Sequence, residues 1–193
     1  TNQWVFLTAA VWPDLIKKNR PGLPARSESI TKYDIYPHAI GYPFVREADR
    51  DVVSTNNFYI AVPNAEMVLS NSFVVLKNRN ASLHDRAVSL CWALHLTGDL
   101  HQPLHAATWV RRDKKEWDGL GGNYIVKDPT YSPPKRIHMH AFWDSLPGVN
   151  TSYETVAAVA NRLEKAKSIH KEIKGQYLTN KTIPSWVNES YHL

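Results

Sequence analysis

"SLHDRAVSLCWALHLTGDLHQPLHAATW", residues 82–109, decides how this chain is read. Its first half is a plain helical run. Ser82 followed three residues later by Asp85 forms a cap-like start, and Ala87, Val88, Cys91 and Leu94 recur at helical spacing. Its second half carries groups that a helix interior normally avoids: His95, Asp99, His101 and His105, with Pro103 among them. His95 and Asp99 are four apart, which stacks them on one helical face, close enough to share a metal ion. Pro103 disfavours the α conformation at Gln102, so the helix should end or bend there and carry His105 to a neighbouring position.

The device recurs in "HAFWD", where His140 and Asp144 are again four apart. One such pair is commonly a surface or capping interaction. Two pairs and an additional His form a set of nitrogen and oxygen donors that suits zinc. The absence of thiols argues for a catalytic rather than a closed structural site.

Outward from this segment the pattern is helical. "NQWVFLTAAVWPDLIKK" spaces Trp4, Leu7, Ala10, Val11 and Asp14 by three and four. "PNAEMVLSNSFVVLKNR" places Pro63 at a helix start, with a stripe of Met67, Val68, Val74 and Val75. "TSYETVAAVANRLEKAKSIHKEI" is the clearest amphipathic helix, capped by Thr151 or Ser152 with Glu154 near its start. "IPSWVNESYHL" begins a helix at Pro184 and stops, which suggests a missing C-terminal helix. Residues 19–62 read as loop. Residues 108–137 contain "DGLGGNYIVKDP", a short β-like hairpin near 119–127, and then the loop-like "YSPPKR". The expectation is a mainly α protein, with residues 1–193 as a single domain.

At 193 residues, with 43% hydrophobic and 21% charged side chains, the composition is that of a soluble globular chain with a sizeable core. No apolar stretch is long enough to span a membrane. The start has neither an initiating Met nor a signal-peptide pattern, so a processed or trimmed product is expected. The lone Cys91 excludes an internal disulfide. A net charge of +5 serves solubility and an anionic partner equally. The Trp residues, including Trp92, Trp109, Trp117, Trp143 and Trp186, read most simply as core, with Trp143 packing beneath the site. His101 reads as support behind a ligand, and His138 as exposed or supporting. His84, His170 and His192 read as surface residues.

"HLTGDLHQPLHAA", "DGLGGNYIV" and "HMHAFWDS", in that order and preceded by "AVWPDLIKK", resemble the single-strand-specific zinc nuclease/3′-nucleotidase family of the fungal nuclease S-one and P-one type. The resemblance covers nearly the whole chain. It implies a single helical domain of the zinc-dependent phospholipase C/nuclease type. It also implies a zinc-dependent phosphodiesterase that hydrolyses single-stranded RNA and DNA to 5′-phosphorylated products, with 3′-nucleotidase activity in addition.

Carried over by position, Asp14, His38, His95 and Asp99 would bind one zinc, and His105, His140 and Asp144 another. The family's third zinc uses an N-terminal Trp, a nearby His and the Asp matching Asp99. That N-terminal segment is absent from the sequence, so two zincs or fewer are expected. Asp14 would orient or deprotonate water, and Lys17 would offset phosphate charge, although a solvated Lys explains that position equally. Asn123, with Gly121 and Gly122 allowing close approach, would contact the base, although a Gly-rich turn also explains it.

This chain departs from the family at Ala39, where the family stacks a base on an aromatic, and at Gly41, where the family has an acid. Tyr42 or Phe44 would supply the stacking face instead. The resemblance further implies single-stranded nucleic acid or nucleotides as substrate, a secreted or periplasmic location and a monomer. Two other readings stand beside it: a zinc phospholipase C-like lipid phosphodiesterase and a non-catalytic metal-binding relative.

Overall fold

A computed structural model describes residues 2–17, 33–34, 37–55, 59–111, 124–146, 148, 152–165 and 181–192. It is mainly helical with two small sheets, as expected. The chain divides into two compact units: residues 1–42, 59–106 and 187–193 form the first, and residues 43–58 and 107–186 the second.

The first unit is built on three helices. α1 (Asn2–Leu15) and α2 (Ala65–Lys77) both pack on α3 (Leu83–Asp99). Burial of Leu69, Trp92, Leu96 and Leu100, together with Ile16 at the end of α1, forms the core. Trp92 is only 1% exposed, so its large apolar area is almost wholly removed from water.

The helix ends are explained locally. At α3, Ser82 Oγ accepts from the Asp85 N–H at 3.0 Å and donates to Asp85 Oδ2 at 2.7 Å, closing the expected cap. α2 starts later than Pro63, because Asn64 is the true cap: its side chain accepts from the Met67 N–H at 3.1 Å. Glu66 in its first turn and Lys77 in its last complement the helix dipole.

The buried faces differ from the expected stripes. On α2, Ala65, Val68, Leu69 and Ser72 are buried, whereas Met67 and Val74 are exposed. On α3, Trp92, Ala93 and Leu96 are buried in place of Ala87, Val88, Cys91 and Leu94. A central helix touching neighbours on two sides buries a face rotated from the one its most apolar residues mark.

α3 stops at Asp99, and Pro103 opens a separate short helix, α4 (Pro103–Ala106), which carries His105. The Gln102 N–H bonds the Asp99 carbonyl at 3.0 Å, and Gln102 Oε1 caps the Leu104 N–H at 2.6 Å. The break expected at Gln102 is therefore a hydrogen-bonded corner. Nearby, Ser190 Oγ donates to the Leu100 carbonyl at 2.7 Å and is itself buried. Ser190 belongs to α7 (Ile183–Tyr191), the helix expected from Pro184.

In the second unit, the Val110 N–H donates to the Phe44 carbonyl at 2.9 Å, joining β1 (Tyr42–Phe44) to β2 (Ala107–Trp109). This pair had no sequence signal. β3 (Ile125–Asp128) and β4 (Lys135–His138) form an antiparallel hairpin, with Ile125 opposite His138 and Lys127 opposite Arg136. The hairpin thus lies further along than 119–127, whose first residues are outside those described. The loop-like "YSPPKR" supplies its turn and the start of β4.

α5 (Met139–Ser145) begins where β4 ends and packs on both strands. α6 (Tyr153–Lys165) has Ser152 as its cap, the Thr155 N–H donating to Ser152 Oγ at 3.3 Å. None of the described helices is long and apolar enough to cross a membrane.

Truncation of Trp92 to Ala should destabilise the protein by about 3–5 kcal/mol, against about 1 kcal/mol for Ser82→Ala. Urea denaturation midpoints of the two variants check the ranking.

Candidate metal centre

α3 presents His95 and Asp99 on one face, as their spacing requires, with His95 Nε2 3.1 Å from Asp99 Oδ2. α1 delivers Asp14 in its last turn, where Asp14 Oδ1 lies 3.7 Å from His95 Nε2. Pro13, buried beside it, has no N–H to bond the Ala9 carbonyl. The next carbonyl, that of Ala10, accepts from His95 Nδ1 at 2.8 Å.

His38 arrives on the loop before β1. Its Nδ1 lies 2.8 Å from His95 Nε2, 3.2 Å from Asp99 Oδ2 and 3.8 Å from Asp14 Oδ1. That loop is pinned by main-chain bonds. The Ile40 and Gly41 N–H groups both donate to the His105 carbonyl, at 2.8 and 3.2 Å, and the Ala39 carbonyl accepts from the Ala65 N–H at 3.3 Å. Gly41 adopts φ 69°, a conformation that side-chain-bearing residues rarely accept. This gives the glycine at position 41 a local backbone reason. In return, His105 Nδ1 donates to the His38 carbonyl at 2.7 Å and sits 3.9 Å from Asp99 Oδ2. Five residues named from sequence therefore meet in the first unit: Asp14, His38, His95, Asp99 and His105.

The donor set fits a zinc-type cation. Zinc bonds of about 2.0–2.2 Å place tetrahedral ligand atoms about 3.4 Å apart, and the separations here run from 2.8 to 3.8 Å. One ligand atom from each of Asp14, His38 and His95 lies within 4.8 Å of the others. A ligating imidazole usually donates its other N–H to a carbonyl or carboxylate, which fixes the ring and frees one lone pair. His95 does so through Ala10, and His105 through His38. His38 is held by packing instead. Its ring meets Trp92 edge-on, with centroids 5.3 Å apart, and its buried Nε2 has no hydrogen-bond partner among the described residues. Its inward Nδ1 is thus the nitrogen that the surroundings use.

The electrostatics follow from crowding. Burial by itself would raise the pKa of Asp99. Hydrogen bonds from His38 and His95 and the charges of His105 and His95 outweigh it and hold the carboxyl well below the usual carboxylate range. Burial would lower the pKa of His95, but the hydrogen bond and charge of Asp99, the charge of Asp14 and the Ala10 carbonyl raise it.

The other sequence-named residues are placed as follows. Lys17 Nζ lies 2.6 Å from Asp14 Oδ1. His140 and Asp144 share one face of α5 in the second unit, 3.7 Å apart. Tyr42 is half-buried, its ring edge-on to Tyr191 at 6.4 Å; burial, then the charge of Glu66, pushes its hydroxyl pKa up. Gly122 and Asn123 lie outside the described residues, as do Trp117 and His170.

Two expectations are corrected. His101 does not stand behind a ligand: it is exposed, and its Nδ1 bonds the Thr97 carbonyl one turn back at 2.6 Å. Trp143 is 37% exposed rather than packed beneath a site, because α5 is a short surface helix with no buried residue. Sequence reasoning missed the Ala10 carbonyl, which leaves no trace in residue identity. It read Trp92 only as core, whereas that ring also seats His38.

Fold and site together define a mainly α protein with a part-buried His/Asp cluster suited to a divalent cation. The profile of the S1/P1 nuclease family matches residues 2–193, and the chain belongs to that family. No curated protein sequence and no solved structure matches it. Membership makes the chain a hydrolytic nuclease in the broad sense, acting on phosphodiesters of nucleic acid, in a family that depends on zinc.

The shifts of Asp99 and His95 set the pH response of metal-free protein. The Asp99 contribution is present above the unfolded carboxylate pKa of about 3.9 and is lost as pH falls through and below it. The His95 contribution is present below its unfolded pKa of about 6.5 and is lost as pH rises through its raised folded value. Urea midpoints measured in chelator should therefore peak between these limits. Asp99→Asn, which removes the charge that both shifts depend on, should flatten both flanks.

Proposed function

We propose that this protein is a zinc-dependent endonuclease that hydrolyses single-stranded RNA and DNA to 5′-phosphorylated products and also removes 3′-phosphates from nucleotides. The observation that carries the reading is the convergence of Asp14, His38, His95 and Asp99, drawn from three separate segments, with Lys17 against Asp14. Asp14, His38, His95 and Asp99 would hold one zinc. His105, its Nδ1 donating to the His38 carbonyl, supplies a further imidazole beside this set, and His140 with Asp144 offers a further pair of donors.

Bound zinc supplies a Lewis acid that polarises a phosphoryl oxygen and lowers the pKa of water. The protein's own groups do the rest. Asp99, kept ionised, contributes negative charge that offsets cations in the site. The Ala10 carbonyl holds the His95 proton on Nδ1, leaving Nε2 as a donor atom. Asp14 is 51% exposed and is the carboxylate best placed to take a proton from an attacking water. Lys17, 42% exposed, brings a mobile positive charge for a substrate phosphate. A base must leave its stack to be read at such a site, which favours single strands. As in its family, the protein acts outside the cytoplasm.

Cleavage of single-stranded DNA should exceed that of matched duplex at the same salt and vanish in excess chelator. Equal rates on both, activity that persists without metal, or preferential hydrolysis of lecithin would overturn the reading. His95→Ala should lose bound zinc and activity together, whereas His84→Ala, an exposed residue bonded to Tyr33 Oη, should retain both. Lys17→Met should retain metal but lower kcat/KM by about tenfold, equivalent to about 1.4 kcal/mol of transition-state stabilisation. Metal analysis beside steady-state kinetics checks all three.

A further inference from the structure

α1 contains a residue that its own stability does not favour. Pro13 lies inside the helix, which continues through Leu15, and beyond it the Ile16 N–H still bonds the Trp12 carbonyl at 3.1 Å. Proline is well tolerated in the first turn of a helix, but Pro13 is in the last. There it removes one rung of the hydrogen-bond ladder, and its ring presses on the carbonyl four residues back. Pro13 is fully buried, yet burial does not call for proline. A valine would present a similar apolar volume and keep the rung.

A second observation lies one carbonyl further on. In an unbroken helix the Ala10 carbonyl serves the Asp14 N–H. Here it accepts from His95 Nδ1 at 2.8 Å, across 85 positions of sequence. A helix bent at a proline parts on the proline's side, which draws the carbonyls three and four residues back out of the ladder. The carbonyl three back from Pro13 is that of Ala10. α1 packs on α3, and Pro13 belongs to its buried side, so a carbonyl parted there turns toward the helix that carries His95. The His95 side chain is only 8% exposed, so water is a poor substitute for this acceptor. A neutral imidazole that keeps a lone pair on Nε2 must carry its proton on Nδ1.

We propose that Pro13 is a positioning residue for the metal centre. It loosens the Ala10 carbonyl from the helix ladder, and that carbonyl then takes the Nδ1–H of His95 and fixes the ring with Nε2 toward Asp14, Asp99 and His38. Pro13 touches neither metal nor substrate and acts through a backbone oxygen. The proposal rests on the zinc reading above and adds what sets the tautomer and direction of one ligand. The missing rung in α1 thereby has a function.

The test compares the full-length parent with Pro13→Val, which keeps an apolar side chain and restores the N–H. Zinc affinity is read by competition with a chromogenic chelator and metal-free stability by thermal melting. The His95 Nδ1–H is read by its protection from solvent exchange in proton–nitrogen correlation spectra. The metal-free variant should melt no lower than the parent, because a rung is restored. Its zinc affinity should nonetheless fall by about 10–100-fold, the usual effect of removing the partner behind a metal-bound imidazole. The Nδ1–H should lose its protection at the same time. A proline that served packing alone would move stability and affinity in the same direction. Replacing the amide between Ala10 and Val11 by an ester makes the Ala10 carbonyl a poorer acceptor with Pro13 in place, and should lower zinc affinity in the same way. An ester between Val11 and Trp12 removes a neighbouring helix N–H but leaves the Ala10 carbonyl an amide, and should not.

Parent-like zinc affinity in a folded Pro13→Val protein overturns the proposal. So does a loss of affinity in which the Nδ1–H stays protected, because the effect then belongs to the adjoining Asp14. If Pro13→Val does not fold, equal zinc affinity in the two ester proteins overturns it. If the parent itself binds no zinc, the metal reading fails, while Nδ1–H protection in the metal-free parent and variant still decides whether Pro13 sets this bond.

Discussion

His95 and Asp99 form an ionisable pair facing into the helical core, and the first unit is arranged to satisfy it. Taking such groups out of water is costly unless each is paired and hydrogen-bonded. Every neighbour answers part of that requirement. The Ala10 carbonyl accepts from the His95 Nδ1–H, His38 bonds Asp99 from the facing loop, and Asp14 closes the open side from α1. The outcome is a carboxyl held ionised and an imidazole whose pKa is raised, although burial pushes both the other way. The same convergence of nitrogen and oxygen donors is what a zinc ion would require.

Most of the precision comes from backbone rather than side chains. A proline in the last turn of α1 lies next to the carbonyl that orients His95. A second proline ends α3's run and starts the short helix that turns His105 toward the His38 carbonyl. The His105 carbonyl then receives two main-chain N–H groups from the loop that carries His38. The loop and the short helix therefore hold each other, each supplying one donor side chain and the main-chain bonds that fix the other. Trp92 adds an apolar wall against which His38 cannot turn freely.

The second unit follows a different rule. Among its described residues, helix α5 buries no side chain, and the hairpin sets Lys127 directly across from Arg136. Membership of the S1/P1 nuclease family gives this a context. A protein that handles a polyanion gains from cations left without internal partners, because each internal ion pair would compete with a phosphate.

Much was legible in the sequence wherever the information was local. The i, i+4 spacing of His95 with Asp99 and of His140 with Asp144, the Ser82 cap and the proline break before His105 are short-range constraints of helix geometry, and each has its structural counterpart. The family resemblance supplied what spacing could not, namely that Asp14 and His38 belong with them. Only the tertiary structure decided which helix face is buried, that Asn64 rather than Pro63 starts α2, that Tyr42–Phe44 pairs with Ala107–Trp109, and that the hairpin sits at 125–138. It also moved His101 and Trp143 away from the roles their neighbours in sequence suggested. Capping and helical periodicity act within one turn of chain and are written in residue order. Burial and strand pairing depend on which distant segment lies opposite, and main-chain carbonyls such as that of Ala10 carry no identity that a sequence can show.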